Sequence, residues 1–103
     1  MTGRVRLVPG DAPTMETIQE RFRAEGLSPH SWGNAPGDTY GWHRHDYDKV
    51  LYCVRGAITF HGRDGDYSLA PGDRLEIQAG TDHAATVGPE GVECMEAAVH
   101  PSP

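Results

Sequence analysis

The chain has 103 residues and a formal net charge of -6 at pH 7. That length fits one domain with a modest core, of the size that commonly leans on a partner subunit. An acidic field with no window of clustered Lys or Arg repels phosphate backbones and argues against nucleic acid as a partner, and no apolar stretch approaches the ~20 residues of a membrane-spanning helix.

At the N-terminus "MTGRVRLVPG" has no apolar leader segment, so a cytoplasmic location and no membrane partner are expected. Within it "RVRLV" alternates, as a strand at a sheet edge or across to a partner does. The next segment, "DAPTMETIQERFRAEG", predicts a helix. It opens at Asp11 and Pro13, carries Met15, Ile18 and Phe22 at three-to-four spacing, and closes on Gly26. From Leu27 onward Gly, Pro, Asn and Asp cut the chain into pieces of strand length. These are Ser28 to Trp32, Thr39 to His45, Lys49 to Arg55, Ala57 to His61, Asp66 to Ala70, Arg74 to Ile77, His83 to Val87 and Val92 to Val99. Between them "NAPGD", "HDYD", "GRDG", "PGD", "QAGTD" and "GPEG" read as turns.

So many short strands in so small a chain close into a barrel or a two-layer jelly roll, because an open flat sheet would leave edges and a face unburied. The expected fold is all-β, with residues 1–26 contributing a strand and one helix to the same domain and residues 27–103 forming the β-barrel. Cys53 and Cys94 share no metal-binding or disulfide-framework spacing, so both read as reduced thiols, with Cys94 and Met95 in the core. Trp32 and Trp42 read as core or subunit-interface residues. Tyr40, Tyr47 and Tyr52 fit a pocket wall or ordinary packing equally well.

Chemistry concentrates in "GDTYGWHRHDYDKVLYCVRG". In an extended strand His43 and His45 share a face, so their imidazoles can take adjacent positions around one ion. Lys49 would lie roughly 13 Å from His45 along an unbroken strand, so "HDYD" must turn if Lys49 is to return to the pair. The turn starts a strand with Lys49, Leu51 and Cys53 on one face and Val50, Tyr52 and Val54 on the other. His83 opens another strand after Gly80 and offers a third imidazole. Three imidazoles suit a divalent transition metal (Zn, Fe, Mn, Ni or Cu) better than calcium or magnesium. His30 and His61 have no partner at ligand spacing, and His100 lies in the C-terminal tail.

The spacing Gly37-x5-His43-x-His45-x3-Lys49-x6-Gly56, followed by Gly72-x5-Gln78-x-Gly80-x2-His83, resembles the two sequence motifs of the cupin superfamily over roughly residues 28 to 99. The resemblance implies a double-stranded β-helix of the single-domain (monocupin) type, a metal on His43, His45 and His83, and a homodimer. Three positions depart from the pattern: Lys49 stands where the family has Glu, Gln78 where it has Pro, and Val87 where it has Asn. An ammonium about 5 Å from a dication meets a repulsion on the order of 6 kcal/mol at an effective dielectric near 20. Lys49 therefore turns away to pair with Asp46, Asp48 or Glu76, works as a catalytic base, or faces an anionic substrate. The resemblance implies a metalloenzyme of dioxygenase, isomerase or lyase type acting on a small carboxylated or enolic metabolite, the three-histidine set resembling those of thiol and diketone dioxygenases. The alternatives are a non-catalytic small-molecule-binding module and a dimeric scaffold with a degenerate metal site.

Overall fold

The computed structural model describes residues 5–11 and 14–99. Among these residues seven strands and one helix follow in the order β1 (Val5–Val8), α1 (Met15–Ala24), β2 (His30–Asn34), β3 (Thr39–His43), β4 (Asp48–Gly62), β5 (Gly65–Leu69), β6 (Arg74–Ile77) and β7 (His83–Val99). Two pairs of expected short strands are each one long strand: "GPEG" and the Arg55–Gly56 step bend the chain without ending its pairing. Both long strands carry a glycine at positive φ at the bend, Gly56 at 81° and Gly91 at 81°. The register of the β4–β7 ladder also slips there, between Cys53 and Arg55 and again between Gly56 and Ile58. Bulges of this kind sharpen strand curvature.

The bend turns one ladder into two leaves. Lys49 to Tyr52 of β4 pair with β6, which pairs with β1, while the second half of β7 pairs with β2. Past the crease, Ile58 to Gly62 pair with β5, and the first half of β7 pairs with β3. One apolar core joins Leu51, Cys53, Leu75 and Ile77 from the first leaf to Ile58, Phe60, Leu69, Ala85 and Val87 from the second. The architecture is thus an antiparallel jelly roll, with one correction: among the described residues no ladder joins the outer strands of the two leaves, so the sheet is folded over and not closed into a barrel. Short outer strands limit what these open edges can pair with. Within "RVRLV" the described part, β1, lies along β6 and is an edge among the described residues.

The helix covers the outside of the first leaf. Its cap is Thr14, whose side chain accepts from the Thr17 amide at 3.2 Å; Pro13, expected near the helix start, falls outside the described residues. Ile18 and Phe22 are both fully buried against Val50, Tyr52, Met95 and Ala97, and the Phe22 ring meets the Tyr52 ring edge-on at 5.3 Å. Alternation along β4 therefore holds as expected, with Val50 and Tyr52 under the helix and Leu51 and Cys53 inside the sandwich. Lys49 shares the inward face.

Candidate metal centre

Strand β3 ends at His43, so His45 lies in the connection that follows and not on the strand. The two rings nevertheless meet, and cross-links hold the loop that carries His45, whose chain bends just beyond it at residues 46–47. The Gly80 amide donates to the His45 carbonyl at 2.8 Å, the Ala79 amide to Asp48 Oδ1 at 2.8 Å, and Arg44 pairs with Asp82 at 2.8 Å. These ties bind the loop of His45 to the loop that precedes His83. His43 and His83 are register partners on β3 and β7. The ring centroids lie 4.9 Å apart for His43 and His45, 4.3 Å for His43 and His83, and 5.3 Å for His45 and His83.

One ligand atom from each of the three imidazoles lies within 4.8 Å of the others. Tetrahedral zinc with bonds of ~2.05 Å would set its nitrogens about 3.4 Å apart, a modest contraction from this arrangement. The Nδ1 atoms of His43 and His83 sit 2.7 and 2.9 Å from the Gly41 and Thr81 carbonyls. Carbonyls fix each ring as its Nδ1–H tautomer and leave Nε2 as an electron-pair donor. His83 is 1% exposed and its Nε2 has no hydrogen-bond partner among the described residues. A buried nitrogen left unpaired is costly unless something coordinates it. Burial, and then the charges around them, hold the His45 and His83 imidazoles below their ordinary pKa, which keeps them neutral as metal ligands must be. The donor set fits a divalent transition metal.

Lys49 is the only lysine of the chain and is 9% exposed. The bend returns it to the histidines: Nζ lies 3.2 Å from His45 Nε2. Its carboxylate partner is Glu96 at 3.5 Å, and not Asp46, Asp48 or Glu76 as the sequence suggested. Asp48 is spent on the Ala79 amide, and Glu76 takes Arg74 at 2.8 Å and Arg6 at 3.6 Å. Glu96 also accepts from Trp32 Nε1 at 2.7 Å and lies 3.8 Å from His30 Nε2. Sequence reasoning passed over Glu96 as a functional residue, although alternation along β7 aims it inward with Val92 and Cys94. A carboxylate at a core-facing position was the available signal.

A cavity of about 300 Å³ joins these groups, with Trp32, Tyr40, Phe60 and Ala85 as its apolar walls. Trp32 is thus a pocket residue, whereas Trp42 stands 48% exposed beneath the guanidinium of Arg63. Tyr40 packs edge-on against Trp32 and hydrogen-bonds Asn34. Tyr47 lies against the His45 ring at 5.0 Å, and Tyr52 belongs to the helix contact. His30 lines the cavity without joining the cluster, and His61 is engaged by Asp66 and Thr86. Cys53 and Cys94 are free, buried thiols opposed across the ladder. His100 lies outside the described residues.

The sequence model of the cupin domain matches residues 29–96. The chain belongs to the cupin family. Among solved structures, this cupin is similar to DMSP lyases RdDddP and RnDddQII at 28% identity and a TM-score of 0.66, over 72% of this chain and 38% of that one. It is similar to the DMSP lyase DddQ from Ruegeria pomeroyi DSS-3 at 19% identity and a TM-score of 0.66, again over 72% and 38%. A DUF861 family protein from Thermotoga maritima aligns at 18% identity and a TM-score of 0.65, over 93% of this chain and all of that one. The cupin spans less than half the length of the two lyase structures. No curated protein matches it.

Proposed function

We propose that this cupin is a metal-dependent enzyme in which His43, His45 and His83 hold one divalent transition ion, Zn, Fe, Mn, Ni or Cu, and act on a small carboxylated or enolic metabolite. The observation that carries the reading is the buried Nε2 of His83, unpaired among the described residues, on a ring clustered with two further imidazoles. The ion supplies Lewis acidity or an open coordination position to a substrate bound in the cavity. Its volume of about 300 Å³ lies at the small end of ligand pockets and suits a metabolite. Lys49 is the catalytic side chain of this proposal, facing the substrate from the cavity wall beside the ligands. The similarity to DMSP lyases supports lyase chemistry within the wider set of dioxygenase, isomerase and lyase reactions.

Elemental analysis of the untagged protein, with and without His83→Ala, tests the reading. One equivalent of a transition metal in the wild type and its loss in the variant are expected, together with turnover of small carboxylates that chelation abolishes and metal restores. The contact of Lys49 with His45 favours a second reading, a metal-free binding module, which metal stoichiometry near zero in both proteins would select. A homodimer joined through β1 or the Trp42 face completes the proposal, checked by mass from light scattering.

A further inference from the structure

Lys49 stands between two claims. Its ammonium lies 3.2 Å from His45 Nε2 and 3.5 Å from Glu96 Oε2. While it donates to His45 it occupies an electron pair that an ion could use, and it brings a positive charge to the place where a dication would sit. Glu96 offers the same ammonium a carboxylate within reach. That carboxylate is fixed: its side chain is 12% exposed, Trp32 Nε1 holds Oε1 at 2.7 Å, and His30 approaches Oε2 at 3.8 Å. No carboxylate joins the three-histidine cluster among the described residues, so Glu96 lies outside the ligand set.

We infer that Glu96 is a positioning residue for metal loading: it draws the Lys49 ammonium off His45 and returns to the pocket, from β7, the negative charge that position 49 lacks. The inference rests on the reading that His43, His45 and His83 hold the ion. It explains how a lysine sits beside a cation site, since the Lys49–Glu96 pair is neutral as a unit and the ion meets it as a dipole. Outer partners that orient a metal ligand commonly change affinity by about 10–100-fold. Here the effect of Glu96 passes through Lys49 alone.

The test is a set of cobalt(II) affinities, measured by chelator competition, for the wild type, Glu96→Gln, Lys49→Met and the double variant. Glu96→Gln keeps an acceptor for Trp32, and thermal melts verify that each protein is folded. Expected are a loss of about tenfold in Glu96→Gln, tighter binding in Lys49→Met, and a much reduced Glu96→Gln effect once Lys49 is Met. The cobalt d–d spectrum stays the same in wild type and Glu96→Gln. Because the chain has one lysine, 13C-lysine labelling gives a single Cε resonance, which shifts when zinc loads the wild type. Equal affinity in wild type and Glu96→Gln, an undiminished Glu96→Gln loss in the Lys49→Met background, unchanged affinity in Lys49→Met, or a changed d–d spectrum overturns the inference. A wild type that binds neither cobalt nor zinc overturns the three-histidine reading itself, a result distinct from all of these.

Discussion

Gly56 and Gly91 approach across the crease so closely that a β-carbon on Gly56 would lie 2.1 Å from the Gly91 carbonyl oxygen. Gly56 also sits at a φ of 81°, where a side chain is strained regardless of space. Gly56→Ala is expected to cost about 2–4 kcal/mol of stability, against about 1 kcal/mol for Gly26→Ala, which shares the positive φ but has open space around its β-carbon. Urea midpoints of the two variants check the order; equal losses would mean that contact at the crease is unimportant.

Metal should stabilise the folded chain. At a free concentration of 100 times the dissociation constant a single site adds about 2.7 kcal/mol, which raises the melting temperature by several degrees. Zinc or cobalt is expected to produce this shift in the wild type, and His83→Ala to remove most of it. Differential scanning calorimetry with and without chelator reads both.

Lys49→Glu restores the family's residue but sets it beside Glu96. Two carboxylates in one buried pocket repel, so the metal-free variant is expected to lose about 2–4 kcal/mol. Metal then gains affinity from the added negative charge, and its thermal shift exceeds that of the wild type. A variant as stable as wild type without metal would argue against the Lys49–Glu96 pairing.

Acid is expected to weaken the metal-free protein in two stages. His45 and His83 are held below their ordinary value of 6.5, mainly by burial, so the unfolded chain binds protons that the folded chain refuses. Their contribution is full above pH 6.5 and falls as the pH drops below it. Glu25 is held below 4.5, first by its hydrogen bonds from Arg74, and its contribution is present above pH 4.5 and lost as the pH falls through its lower folded value. Thermal melts from pH 8 to 3 follow both stages. Glu25→Gln is expected to remove only the second, because the Arg74 bridge ties the end of α1 to β6 and lies away from the histidines.

Much of this was readable because period and spacing report faces directly. The alternation of Lys49, Leu51 and Cys53 against Val50, Tyr52 and Val54 foretold both the inner core and the helix seat. The stripe of Met15, Ile18 and Phe22 named the side of α1 that is buried. The spacing of His43, His45 and His83 pointed to one cluster, and the family match over residues 29–96 agrees with the motifs that carried the resemblance. What escaped notice depends on partners distant in sequence. Glycines at the crease look like turn punctuation until the ladder is seen to continue past them. Glu96 reaches Lys49 from β7, 47 positions away, and nothing in the sequence sets it ahead of Asp46, Asp48 or Glu76 as a partner. Trp32 looks like a core or subunit-interface residue in the sequence because its bond to Glu96 also crosses between strands.

The β4–β7 ladder begins with Asp48 opposite Val99 and finishes with Gly62 opposite His83. Laid flat, those extremities would stand roughly 45 Å apart, at about 3.3 Å per residue. Doubled over, they bring Lys49 and His83 to the rim of one cavity. An ion gripped there acts as a clasp on a hairpin spring: loading it should slow amide exchange at the fold line as well as around the imidazoles, and prying the fold line apart should loosen the ion.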